Sequence, residues 1–110
     1  MDLHRFRTYG VAVSLLADFV RASEAWPRGS GWLRDQGNRA AGSVVLNIAE
    51  GLGKPRGAER LRFFRIAIAS AHEAAACAEV ARRLGHLDEG RYRALYDGCD
   101  HVTRMLGRIV

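Results

Sequence analysis

The sequence is short of aromatics, lysine, proline and cysteine, and each shortage narrows what the chain is. Aromatics are 8% of its 110 residues, and the 48% hydrophobic content is mostly Ala, Val, Leu and Ile. Small apolar residues in that proportion favour closely packed helices and exclude a disordered chain. The two cysteines, Cys77 and Cys99, form no CxxC pair, which leaves no disulfide framework or zinc ribbon and reads as two reduced packing thiols. The two prolines, Pro27 and Pro55, both lie beside glycines and mark loops. The longest apolar run, residues 66–80, contains His72, Glu73 and Glu79 and is no membrane span. The opening MDLHRFRTYG lacks the apolar centre of a secretory signal. A single cytoplasmic domain over residues 1–110 is expected.

Lysine is nearly absent: of 17 basic residues only Lys54 is lysine, against 12 acids and a net charge of +5. The pI is about 10. Two readings of the arginine bias stand: a GC-rich codon preference, or selection for forked contacts to phosphate and carboxylate. In either case the positive balance implies salt-sensitive attraction to nucleic acid or an acidic partner.

Three breaks divide the chain: WPRGSG (26–31), GLGKPRG (51–57) and LGHLDEG (84–90). Gly85 reads as a helix stop and Asp88 as an N-cap; Gly51 reads as the left-handed end of the second helix. The four segments between them carry helical periodicity. The first has Phe6, Tyr9, Val13, Leu16 and Val20; the fourth has Tyr92, Leu95, Cys99, Val102, Leu106 and Ile109. These are seams of the kind that face a bundle core. Short connections then predict an all-α fold, an antiparallel up-down-up-down four-helix bundle.

The third segment has two seams: Phe63, Ile66, Ser70, Glu73, Cys77, Val80 and Leu84, and, nearly opposite, Leu61, Phe64, Ile68, Ala71 and Ala75. A helix with two apolar faces needs a second partner, so the second seam is expected to be an oligomer interface; a wide stripe inside one small bundle is the alternative. In the second segment Leu33, Ala40, Ala41, Val44, Val45, Ile48 and Leu52 make a broad arc, with Leu46 pointing away from it.

The stretch RAAGSVVLNIAEG (39–51) has no charge from Ala40 to Ala49. Arg39, Ser43, Asn47 and Glu50 form a polar stripe along the border of that arc, and Ser70 and Glu73 sit within a seam of the third segment. If the two helices pack, Arg39, Asn47, Glu50, Ser70 and Glu73 are expected to satisfy one another in a buried network that fixes register. The competing reading makes Glu50 and Glu73 a catalytic carboxylate pair with one raised pKa. Nothing else completes such a site: His72-Glu73 opens like a metalloprotease helix, but Ala76 stands where the second histidine belongs. His4, His72, His86 and His101 show no ligand spacing, and Gly51, Gly53 and Gly57 around Lys54 do not form a P-loop. No metal, cofactor, small-molecule substrate or enzymatic activity is expected. The stronger signal is Lys54, Arg56, Arg60, Arg62 and Arg65, five cations within twelve residues against Glu59 alone. They predict a surface for nucleic acid or a partner protein, without base stacking or sequence readout.

RAAGSVVLNIAEG, followed by the pattern ExxxFFxIAxASAxE from Glu59 to Glu73, resembles the four-helix bundle proteins of the 23S rRNA intervening-sequence family. Their relatives include the accessory variability determinant proteins of diversity-generating retroelements. Gln36, Arg39, Ala40, Ala41, Ser43, Asn47, Ile48, Ala49, Glu50 and Gly51 match the first family block; Glu59, Phe63, Ile66, Ala67, Ser70 and Glu73 match the second. Phe6, Tyr9 and Ala12, and Leu84 to Leu87, extend the likeness over nearly the whole chain. Ala69 stands where the family has glycine, and Gly42 where bulkier residues are common. The resemblance implies a non-enzymatic ring, typically a homopentamer with a central channel, acting on structured RNA or a reverse transcriptase through a basic surface. A protein–protein scaffold with no nucleic-acid role is the alternative.

Overall fold

The computed structural model describes residues 2–110, and among them four long helices and no strand. They are α1 (Arg7–Ser23), α2 (Gly31–Leu52), α3 (Ala58–Arg83) and α4 (Glu89–Gly107), with short 3-10 turns at Leu3–Arg5 and Arg28–Ser30. The helices pack α1 on α2 and α4, and α3 on α2 and α4, with the α2–α3 contact the most extensive. The expected breaks are where the sequence put them. Gly85 takes a φ of 81° after α3, a conformation that favours glycine. Asp88 caps α4 by accepting the Arg91 N–H at 2.7 Å. Gly51 is a correction: it is helical, and the other left-handed glycine is Gly57, at φ 139°. What holds position 51 to glycine is proximity, since a Cβ there would stand 2.7 Å from the Phe64 ring.

The α4 seam is the core as read: Tyr92, Leu95, Cys99, Val102 and Leu106 are buried, and Ile109, beyond the helix end, is exposed. On α1 the reading was displaced. Thr8, Ala12, Leu15, Phe19 and Ser23 are buried, whereas Val13 and Val20 are each 39% exposed. The buried line runs one residue before the predicted seam, about 100° around the helix, so that Ala12 and Phe19 face inward in place of Val13 and Val20.

The larger correction is on α3. Its buried line is Phe64, Ala67, Ala71, Ala74, Cys77, Ala78 and Ala81. It runs between the two predicted seams and closer to the second. Phe64 is 1% exposed and Ala71 is fully buried inside the single chain, and Leu61, Ile68 and Ala75 are half-buried against the same core. These five are therefore no free oligomer interface. The exposed large apolar residues of α3 lie on the other seam, at Ile66 and Val80, with Leu84 just past the helix end. Alanines carry little hydrophobic weight in a sequence pattern, yet they allow helices to approach closely, and here they decide which face turns inward.

Both cysteines lie in one core cluster. Burial pushes the Cys99 thiol up to about 12, and burial, then the Glu73 charge, raises Cys77. Because the folded pKa is raised, this contribution to stability is complete below the unfolded thiol pKa of 9.0 and is lost as pH climbs toward 12. Iodoacetamide at pH 8 is expected to label neither thiol in the native protein and both in denaturant; labelling of native Cys99 at the rate of a free thiol would contradict this packing.

Candidate functional site

The basic segment spans the α2–α3 loop and the first turns of α3. Its five cations do different things. Arg60 folds back on the end of α2: its Nε donates to the carbonyls of Gly51 (3.1 Å) and Lys54 (3.1 Å), and its Nη2 to those of Leu52 (3.2 Å) and Lys54 (2.8 Å). A helix C-terminus leaves carbonyls without partners, and a guanidinium is suited to collect them. Arg60 is thus a capping residue. Arg60→Ala is expected to lower stability by about 2 kcal/mol, the value of charge-assisted hydrogen bonds to neutral acceptors, while Arg56→Ala leaves the melting temperature unchanged. Lys54 stands between Glu50 (3.6 Å) and Glu59 (3.8 Å). Arg62 lies over the Phe63 ring at 4.7 Å. Arg56, Arg62 and Arg65 are exposed, and among the described residues none is paired with a carboxylate. They are the cations left for a partner.

The five residues expected to satisfy one another, Arg39, Asn47, Glu50, Ser70 and Glu73, share no direct bond among the described residues; Asn47 and Ser70 are linked through Ser43, and the stripe is not buried. Ser43 Oγ and Ser70 Oγ share a hydrogen bond at 2.8 Å, and Asn47 Nδ2 donates to the Ser43 carbonyl (2.9 Å) and hydroxyl (3.0 Å). Gln36 Nε2 donates to Glu73 at 3.2 Å. Arg39, Glu50 and Glu73 are exposed, and Glu50 pairs with Lys54. The pairs 36–73, 43–70 and 51–64 run α2 and α3 in opposite directions, so the stripe follows the outer groove between them. Leu46, 69% exposed, and Ile66, 37% exposed, stand on this outer face at the same level of that register. Trp32 and Val80 extend the face toward the other end.

Glu50 and Glu73 are not a catalytic pair. Glu73 sits opposite Gln36, fourteen residues before Glu50 on α2, a separation of roughly 21 Å along the helix axis. Among the described residues no group of three His, Cys, Asp or Glu side chains could hold a metal.

Several polar ties had no sequence signal. Arg34 holds the end of α1, donating to the carbonyls of Ser23 (2.9 Å) and Trp26 (2.7 Å). Ser30 and His86 meet at 2.7 Å and join the two loops at that end of the bundle. Glu79 accepts from Arg82 (2.8 Å), Tyr92 (3.0 Å) and Arg83 (3.2 Å), fastening α3 to α4. The Arg82 bond first, then that from Tyr92, holds the Glu79 carboxyl below its ordinary 4.5. A depressed folded pKa stabilises above the unfolded value and is lost as pH falls. Glu79→Gln is therefore expected to flatten the acid limb of a stability–pH profile below about pH 4.5; an unchanged limb would show that the cluster does not couple to folding.

Residues 5–108 match the sequence profile of the 23S rRNA-intervening sequence protein family. Among solved structures, a protein of unknown function from the S23 ribosomal protein family of Bacteroides thetaiotaomicron superposes with a TM-score of 0.85. It is 16% identical, and the match covers 93% of this chain and 96% of that one. At that identity the likeness concerns the fold. No curated protein matches the chain. Among the described residues no helix is long and apolar enough to cross a membrane. With four helices arranged as in that structure, and a profile match over almost its whole length, the chain belongs to the 23S rRNA-intervening sequence protein family.

Proposed function

We propose that this protein is a cytoplasmic, non-enzymatic, up-down-up-down helical bundle that assembles with copies of itself into a ring of five and binds structured RNA, or a nucleoprotein containing it, through repeated arginine surfaces. The observation that carries the reading is the set Arg56, Arg62 and Arg65, exposed and free of carboxylate partners beside a loop whose other cations are engaged. In an assembly each such set is repeated, and phosphate contacts multiply by avidity.

The outer face of α2 and α3 supports the self-assembly part of the reading, in place of the seam whose Phe64 and Ala71 are buried within the chain. It carries Leu46 and Ile66 beside a stripe of hydroxyl and amide groups, Ser43, Asn47 and Ser70. Apolar residues flanked by short polar ones suit a close, hydrogen-bonded contact between helices.

Salt titration of RNA binding tests the nucleic-acid part. The triple variant Arg56→Gln/Arg62→Gln/Arg65→Gln is expected to bind a structured RNA at least about tenfold more weakly, with a shallower salt slope, because each phosphate contact contributes about 0.7–0.9 to that slope. Equal affinity and slope for the two proteins would remove the proposed surface and favour a scaffold without a nucleic-acid role.

A further inference from the structure

The same end of the bundle holds a pocket of about 360 Å³ in which four parts of the chain converge. Phe6 precedes α1, Leu52 ends α2, Leu61 and Phe64 belong to the start of α3, and Ile109 follows α4. The volume is at the lower end of the usual small-molecule range, ~300–1,000 Å³. Its walls are held in place: the Phe6 and Phe64 rings stack at 5.6 Å and 14°, and Arg60 pins the end of α2 to α3.

The charge around the pocket is one-sided. Arg56 lines it and has no carboxylate partner, and no acid lines it. The nearby carboxylates Glu50 and Glu59 are both drawn to Lys54. The α2 carbonyls, which would repel an anion, already accept from Arg60. Gly57, at φ 139°, brings backbone without a side chain to the lining. A nucleobase would lose its hydrogen bonds against these apolar walls, which disfavours a flipped-out base. The other concavities differ: the one between α1 and α4 contains an Arg21–Asp18 pair, and the one on the outer side of α2 contains Glu50 with Lys54.

We propose that this pocket binds a small amphiphilic anion: an apolar chain or ring seated among Phe6, Leu52, Leu61 and Ile109, with a carboxylate on Arg56. Arg56 is shared with the proposed RNA surface, but the test contains no nucleic acid, so the two readings fail separately. Octanoate, octanol and octylamine are titrated into the protein with methyl chemical shifts as the readout. Octanoate is expected to shift the methyls of Leu52, Leu61 and Ile109 and to bind about tenfold more tightly than octanol, a margin typical of one charge-assisted contact; octylamine is expected to bind weakest. Arg56→Gln removes that margin. Ile109→Asp, at an exposed site that the fold does not need, weakens octanoate by a similar factor. Equal binding of the three probes, shifts centred elsewhere, or octanoate binding that survives both substitutions would overturn the proposal.

Discussion

Alanine at Gly37 is expected to cost the protein about 2 kcal/mol, whereas alanine at Gly42, five residues along the same helix, is expected to stabilise it by up to about 1 kcal/mol. A Cβ at Gly37 would lie 2.4 Å from Phe19 Cε1 and 2.8 Å from Cζ. Phe19 is fully buried, with Trp26 edge-on to it at 6.0 Å, so its ring has nowhere to go without displacing a neighbour. Overpacking of a filled core typically costs about 1–3 kcal/mol, which exceeds the ~1 kcal/mol that alanine gains over glycine in helix propensity. Gly42 has nothing within 4 Å of its would-be Cβ, so only the propensity gain remains. For a domain this small, each kcal/mol moves the melting temperature by roughly 4–8 °C, so a thermal melt of the pair separates the two signs. Two variants shifted in the same direction would mean that α1 and α2 do not meet at Phe19.

The second large effect concerns assembly. Leu46→Glu combined with Ile66→Glu is expected to reduce the proposed oligomer to single chains while leaving helical content and melting cooperativity intact. Both side chains are exposed within one chain, so neither charge is buried on folding. In an interface, the same charges would be buried against the next copy without compensation. Phe64→Ala is the contrasting case. Phe64 packs against Gly51 and Phe6 inside the chain, and its truncation is expected to cost about 3–5 kcal/mol of stability. Sedimentation with circular dichroism distinguishes the outcomes. An undiminished mass for the Leu46/Ile66 double variant would remove this face from the assembly.

The residues behind these two predictions also mark what the sequence made legible. The breaks at Gly85 and Asp88 were readable because a helix end is a local event: a left-handed glycine and a carboxylate three residues before an N–H suffice. The α4 face was readable because no alanine or glycine interrupts it. The α3 face was not, because its inward line is mostly alanine and the bulkier residues mark its two borders. Of the motif's polar groups, Asn47 and Ser70 meet only through Ser43, and the groove between α2 and α3 that holds them opens outward, while Arg39, Glu50 and Glu73 stand apart from them. Arg60 looked like its neighbours in composition; only the position of the α2 carbonyls makes it a cap. Gly51 looked like a helix stop for the same reason: the approach of Phe64 is a property of the packed pair.

Light scattering of the purified protein, with and without a structured RNA at ~0.1 M salt where phosphate contacts are still strong, tests the account at its centre. A mass near five times the 12.1 kDa chain, rising when RNA is added and returning to its starting value at high salt, is the predicted result. A 12.1 kDa species that ignores RNA would contradict it, because neither the outer face of α2 and α3 nor the free arginines at 56, 62 and 65 would then have a partner.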